Sequence, residues 1–413
     1  MFFFKHGEFT GIKHSLLLIL TFIILTCCDS ETIKDIDIAY LSDSDLQIAT
    51  DVFLDQAQLI SEKTPVSIVD KTDVFIPAGK RNYVSLACYW WPNPDSDNGL
   101  PYQRIDGKVN PETRSQRSDL PKLIEMAKRV EILSAAFRIS RDERFAKSAI
   151  RQLSVWFLNP NSSMHPHLEH AQMIKGRNTG RSYGVIDTWW LIRVVDSFQT
   201  LSQSAHWSDD IETELKTWFT HYLNWLLNSE FGQTESRSKN NHGTWYDVQI
   251  ATFSDFIELD YPAKVFLNES VRSRVRQQIS FTGKQKHETK RPRPAHYSIF
   301  NLNGLIRLAT YVHTTQPDIL QHKEFPSGSL NHALYYLTDM MNENVTAELS
   351  DPYDRTDGSL LYAELLFKAA DLTGNSDFEH YAIGYVNKNL TNNPKLLVPL
   401  IKTGRYKNSA VHN

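Results

Sequence analysis

Leu120-Pro121-Lys122-Leu123-Ile124-Glu125-Met126-Ala127-Lys128-Arg129-Val130-Glu131-Ile132-Leu133-Ser134-Ala135-Ala136-Phe137 carries apolar side chains at Leu120, Leu123, Ile124, Ala127, Val130, Leu133 and Phe137. Steps of three and four put them on one stripe of an α-helix, with the small Ser134 on the same face. Ser118 or Asp119 supplies an N-cap, and Pro121 falls in the first turn, where its missing N–H is tolerated. The same period recurs over about residues 145–158, 184–201, 211–227, 245–259, 265–279, 297–312, 330–341, 360–372 and 377–387. Alternating β and α segments are absent. The pattern predicts an all-α chain of stacked helical hairpins, either an (α/α) toroid or an α-solenoid. No repeat period shows in the letters, which weighs against a regular solenoid. Val66-Ser67-Ile68-Val69 and Tyr83-Val84-Ser85-Leu86 are β-like pieces that read as loop or ribbon decorations.

The chain has 413 residues, with 44 Lys plus Arg against 48 Asp plus Glu, a formal net charge of −4. That balance argues against a general nucleic-acid binder and leaves room for a local basic cleft. Hydrophobic residues at 41% exclude disordered and low-complexity classes. At the N-terminus, Lys5, Lys13 and His14 precede an apolar run from Leu16 to Leu25 that ends in Leu25-Thr26-Cys27-Cys28. The run is too short to anchor in a bilayer and reads as a signal peptide. Its ending resembles a lipoprotein box, which makes residues 1–27 a leader, Cys28 the favoured lipidation site and Cys27 the second choice. An ordinary cleaved signal is the plainer alternative. No linker rich in Pro, Gly or Ser divides residues 28–413, which read as one domain. Cys88 is the remaining cysteine, so no disulfide is expected within that domain.

Three stretches carry unusual chemistry. Asn240-Asn241-His242-Gly243-Thr244-Trp245 follows a polar stretch and opens a helix. Its amide and imidazole suit binding of a carboxylate, or they are an N-cap followed by a core Trp. Lys290-Arg291-Pro292-Arg293-Pro294-Ala295-His296-Tyr297-Ser298 presents cations from a backbone stiffened by two prolines, or it is a solvated basic loop. Tyr89-Trp90-Trp91-Pro92-Asn93-Pro94 places three aromatics in a Pro-rich loop, as a sugar platform or a buried corner. Arg177-Asn178-Thr179-Gly180-Arg181-Ser182-Tyr183-Gly184 could grip carboxylates or hydroxyls from a Gly-bearing turn. His165-Pro166-His167-Leu168-Glu169-His170 has the letters of a metal site, but Pro166 and the loop setting speak against one. The spacing of Asp351, Asp354 and Asp357 does not match a calcium loop.

Asn241-His242 followed by Arg291 and Tyr297, in a helical chain that bears the Tyr-Trp-Trp-Pro loop, resembles the alginate lyase group of α/α-barrel polysaccharide lyases. The resemblance runs from about Tyr83 to about Leu372. It is nearest the seven-hairpin, polymannuronate-type branch, and it implies an (α/α) toroid, an incomplete barrel of helical hairpins. It further implies β-elimination on a polyuronate, alginate in the first place, with no metal and no cofactor. Asn241 and Arg291 would then neutralise the uronate carboxylate, with Arg293 the alternative arginine, and His242 would assist as donor or base. Tyr297 would act as general acid, or as base and acid in turn when both groups leave from one face. Arg291, Arg293 and His296 are expected to depress its pKa. Subsites are expected from Tyr89, Trp90, Trp91, Arg177, Asn178, Arg181, Trp245, Arg293 and His296. The partner implied is an acidic polysaccharide, with membrane contact only through an N-terminal lipid. The location implied is the periplasm or the outer membrane of a Gram-negative bacterium. Two rivals stay open: a glycoside hydrolase drawing two carboxylates from Asp187, Asp247 and Glu364, and a non-catalytic glycan-binding lipoprotein.

Overall fold

Six helices begin at a side-chain cap. Ser42, Asp142, Ser208, Ser229, Asn240 and Asn375 each accept a hydrogen bond from a first-turn amide, which satisfies donors the helix itself leaves unpaired. They open α1 (Asp43–Ser61), α3 (Glu143–Leu153), α5 (Asp209–Asn228), α6 (Glu230–Ser236), α7 (Asn241–Phe256) and α12 (Ser376–Asn389). The others are α2 (Leu120–Ser140), α4 (Trp190–Leu201), α8 (Ala263–Gln278), α9 (Pro294–Val312), α10 (Leu330–Met341), α11 (Gly358–Thr373) and α13 (Leu397–Lys402). This computed structural model describes residues 42–71, 79–259, 263–321, 327–341, 349 and 357–406, with residues 263–266 as backbone alone. The expected leader with Cys27 and Cys28, and Asp351 and Asp354, lie outside the described residues. Among those described, no helix is long and apolar enough to cross a membrane.

The helices close a ring. α2, α4, α7, α9, α11 and α13 touch in that order, and α13 returns to α2. α3, α5, α8, α10 and α12 pack around the outside, which makes the architecture an all-α toroid rather than an open solenoid. Asp119 precedes α2 without a capping bond of its own. Its carboxylate instead accepts from Lys71 Nζ at 2.5 Å and from the Val84 amide at 3.0 Å. α1, α6 and α13 did not stand out in the sequence. α1 buries only a narrow line of Ala49, Phe53 and Ala57, too sparse to show as a broad apolar stripe.

The β-like pieces divide. Val84–Leu86 (β1) pairs in parallel with His170–Met173 (β4), and Trp90–Trp91 (β2) pairs antiparallel with Gln103–Arg104 (β3). Val66–Val69 forms no strand. The Gln152 side chain takes the place of a neighbouring strand, accepting from the Val66 amide at 2.7 Å and donating to its carbonyl at 2.8 Å. Large aromatics, among them Trp156, Trp190, Phe219 and Phe253, are fully buried and hold the inner and outer helices together. His165, His167 and His170 stand near one another, with ring centroids 6.0 and 6.4 Å apart. Among the described residues no group of His, Cys, Asp or Glu is placed to hold a metal ion.

Inner-ring helices run so that several N-terminal ends meet at one mouth. Leu120 of α2, Trp190 of α4, Asn241 of α7 and Tyr297 of α9 line one cavity. Helix N-termini carry partial positive charge, which favours an anionic ligand there. The C-terminal halves line a different cavity, and this region holds a buried ion network. Arg193 makes a forked pair with Glu131 (2.7–3.0 Å), Lys402 bridges Glu131 and Glu364, and Arg307 pairs with Asp196 at 2.5 and 2.8 Å. Burial alone would raise Asp196 and Glu364. Arg307 on the first, and Lys402 with Lys368 on the second, outweigh it, leaving Asp196 far below the usual carboxylate range and Glu364 lowered to about 2.

These depressed groups hold fewer protons folded than unfolded. Their stabilisation is complete above the unfolded carboxylate value of about 4, and it is lost as pH falls through the folded values. The melting temperature is expected to drop steeply between about pH 4 and pH 2, and Asp196→Asn to flatten part of that drop. Scanning calorimetry across the window checks this; a level melting temperature there refutes it.

Candidate active site

The mouth at the helix N-termini holds a cavity of about 480 Å³. Four elements supply its chemistry. The start of α7 contributes Asn241 and His242, and the start of α9 contributes His296 and Tyr297. The loop before α9 contributes Arg291 and Arg293, and the β2–β3 ribbon region contributes Tyr89, Trp90, Arg104 and Asp106. Pro294 is the first residue of α9, so Arg293 ends the extended loop and the helix then carries Tyr297 inward.

Tyr297 is the centre of the cluster. Arg291 Nη2 donates to its phenol oxygen at 3.0 Å, and the guanidinium lies 4.1 Å from the ring centroid. The Tyr89 hydroxyl is 2.5 Å from the same oxygen. His296 packs edge-on against the ring. Asp106 accepts from Arg291 at 3.4 Å and helps orient it. The sequence reading expected the phenol's pKa to fall. It is instead raised well above 10: burial dominates, the Tyr89 phenol adds to it, and Arg291 opposes without prevailing. The resting phenol is therefore neutral.

Two buried carboxylates set the α7 residues. Glu288 accepts from the Asn241 backbone amide at 2.8 Å and from its Nδ2 at 2.7 Å. Glu235 Oε1 lies 2.5 Å from His242 Nδ1. A carboxylate only accepts, so Nδ1 carries the hydrogen and Nε2 is left as the basic nitrogen. Gly243 fits because a Cβ there would fall 2.1 Å from the Ser238 carbonyl oxygen.

The expected subsite residues separate. Trp90, Arg181, Arg293 and His296 line the cavity. Tyr89 lines it too, but gives its hydroxyl to Tyr297 rather than serving as a plain platform. Trp245 is a correction: it is 2% exposed, stacks on Phe300, packs at a tilt against Trp189, and donates Nε1 to the Phe300 carbonyl, so it is core and offers no sugar surface. Trp91 does not line the cavity; its indole donates to the Lys108 carbonyl, and Lys108 sits over its ring. Arg177 stacks on Trp90 and donates to the Tyr102 carbonyl, bracing the loop from outside. Asn178 accepts from the Ile174 amide and closes a turn. The polar stretch before Asn240 is partly helical, since α6 runs to Ser236 and carries Glu235.

Sequence reasoning missed Glu235, Glu288, Tyr183, Gln172 and Asp106. Glu288 is 47 residues from Asn241, and no local pattern links them. Glu235 stands seven residues before His242, a spacing with a signal only once α6 is known. The three candidates from which a hydrolase would draw its two carboxylates do not gather. Asp247 pairs with Arg274 in the core, Glu364 belongs to the Lys402 network, and Asp187 alone of the three lines the cavity.

A helical ring whose mouth gathers helix N-termini and arginines around a half-buried tyrosine is arranged to hold an anionic ligand. Comparison with known proteins agrees. A sequence profile described as alginate lyase matches residues 67–347. The solved structure of an alginate lyase from Bacteroides ovatus is 30% identical, with a TM-score of 0.74, covering 83% of this chain and 91% of that one. Alginate lyase A1-III, solved as a histidine-to-alanine variant complexed with a tetrasaccharide, is 14% identical with a TM-score of 0.51, over 84% of this chain and 92% of the other. That second likeness bears on the fold alone. No curated protein sequence matches. The chain belongs to the alginate lyase family and is a polysaccharide lyase.

Proposed function

We propose that this lyase cleaves alginate by β-elimination, with polymannuronate as first substrate and mixed alginate or glucuronan next. The observation that carries the reading is the Arg291–Tyr297 contact, 3.0 Å, in the same cavity as Asn241 and His242. Membership of the family and the name of the 30%-identical structure support the substrate class.

Removing C5–H of a uronate places a second negative charge beside a carboxylate. Donors that hold the carboxylate must bind this dianion more tightly than the ground state. Asn241, oriented by Glu288, and Arg291 take that role. In mannuronate the C5 hydrogen and the C4 oxygen leave from one face. Tyr297 takes the C5 proton as phenolate, with Arg291 and Tyr89 donating to its oxygen. It then returns the proton to the leaving glycosidic oxygen as the C4–O bond breaks and the C4–C5 double bond forms. In guluronate the two groups lie on opposite faces. There His242 Nε2, with Glu235 steadying the imidazolium, is the separate base and Tyr297 the acid.

The test is incubation with polymannuronate, polyguluronate, glucuronan and a neutral glucan, following ultraviolet absorbance and product masses. Unsaturated oligouronides from polymannuronate are expected; hydrated products, or intact polymer, overturn the reading. We further propose that residues 1–27 are a leader and that Cys28 carries lipid in the periplasm or outer membrane. Cys28→Ser is then expected to move the protein from the membrane to the soluble fraction; an unchanged distribution counts against lipidation.

A further inference from the structure

Four other cations, buried or nearly so, meet a carboxylate directly. Arg193 has Glu131, Arg274 has Asp247, Arg307 has Asp196 and Lys71 has Asp119. Arg181 is different. It is partly buried in the wall of the catalytic cavity, and its bonds go to neutral acceptors: Nε to the Gln172 carbonyl at 3.2 Å and Nη2 to Gln172 Oε1 at 2.8 Å. Among the described residues it makes no ion pair. A partly buried cation facing an open cavity, with no carboxylate in direct contact among the described residues, is arranged for an anion that arrives with the ligand.

The support behind Arg181 is built. Asp187 accepts from Tyr83 at 3.1 Å, Ser85 at 2.6 Å and Gln172 Nε2 at 3.0 Å. Because Asp187 only accepts, Gln172 must turn its Nε2 to it and its Oε1 to Arg181. Gln172 holds a φ of +49°, a costly conformation for a residue with a Cβ. The strain sits where the side chain joins the two charged groups. The Arg181 loop is pressed onto β4, since a Cβ at Gly180 would lie 1.9 Å from the Glu169 carbonyl oxygen and one at Gly184 2.3 Å from Ala171 Cβ.

Position gives the ligand. The Arg181 guanidinium lies 4.8 Å from the centre of the Tyr183 ring, and Tyr183 meets the His242 ring edge-on at 4.9 Å. Tyr183 is 48% exposed. The cation is thus set one aromatic ring away from the reacting cluster, which suits a neighbouring sugar rather than the one that loses its proton.

We propose that Arg181, held by Gln172 and Asp187, clamps the carboxylate of the sugar next to the reacting uronate. The enzyme therefore demands acid groups on successive residues. This rests on the reading of the cavity as a polyuronate-elimination site, and it adds a specificity rule. Arg181 binds and selects; it moves no proton.

The experiment uses polymannuronate in which a fraction of carboxyls has been reduced to primary alcohols, with the products sequenced by mass spectrometry. Wild-type protein is expected to leave reduced sugars out of one position flanking the cleaved bond. Arg181→Met should cut beside acid and alcohol alike. On intact polymer its kcat/KM should fall roughly tenfold to a hundredfold, chiefly through KM. Arg181→Lys should restore part of the selectivity, and Gln172→Met should weaken it without shifting the pH profile. Wild-type cleavage indifferent to both flanking sugars, or an Arg181→Met enzyme with wild-type selectivity and KM, overturns the clamp. Wild-type selectivity is read without any variant, so a poorly folding substitution does not block the test. Failure to cleave intact polymannuronate would instead strike the underlying substrate reading.

Discussion

Tyr297→Phe is expected to lower turnover by roughly 10²–10⁴-fold while KM changes by less than about threefold. Two groups meet at the phenol oxygen, Arg291 Nη2 at 3.0 Å and the Tyr89 hydroxyl at 2.5 Å. The substitution removes the atom that both accepts and returns the proton, and it leaves the ring that packs against His296. Protein stability should therefore hardly change. The pH dependence follows from the raised phenol. Burial keeps Tyr297 neutral near pH 7, so the base form is a minority and the rate on polymannuronate should climb with pH, by up to about tenfold per unit. Residual activity of the phenylalanine variant should lack that climb. Absorbance of the unsaturated product, followed across pH for both proteins, measures both effects. Wild-type turnover in the variant would remove Tyr297 from the chemistry.

Arg291→Met is expected to cost roughly 10²–10³-fold in kcat, the scale of losing one preorganised donor to a developing charge. Arg291 serves two partners, the phenol it touches and the carboxylate proposed to lie beside it. If it works through that shared cluster, the Tyr297→Phe/Arg291→Met double variant should be about as slow as Tyr297→Phe alone. Losses that multiply would mean that the two groups act independently. Arg291 is a cleaner probe than Asn241. Truncating Asn241 would strip Glu288, 1% exposed, of its side-chain donor, and the cost of an under-satisfied buried carboxylate would mix with any loss of catalysis.

Much of this protein could be read from its letters. Apolar steps of three and four from Leu120 to Phe137, repeated along the chain, dictated a helical protein, because a helix must bury one stripe and only another helix here could cover it. Asn241, His242, Arg291 and Tyr297 drew notice as residue types gathered in short motifs, and the structure places all four around one cavity. What the letters could not settle depends on which helix ends come together. Trp245 reads equally as a subsite residue or as a core Trp, because nothing local distinguishes an indole facing a cleft from one facing Phe300. The pKa of Tyr297 was read with the wrong sign, because nearby cations are visible in the sequence and the burial that outweighs them is not. Glu288 and Glu235, which orient the α7 pair, reach it only after α6 and the loop before α9 fold against α7. Local periodicity is a property of neighbours along the chain; desolvation and carboxylate pairing arise only once distant segments share the same dry volume.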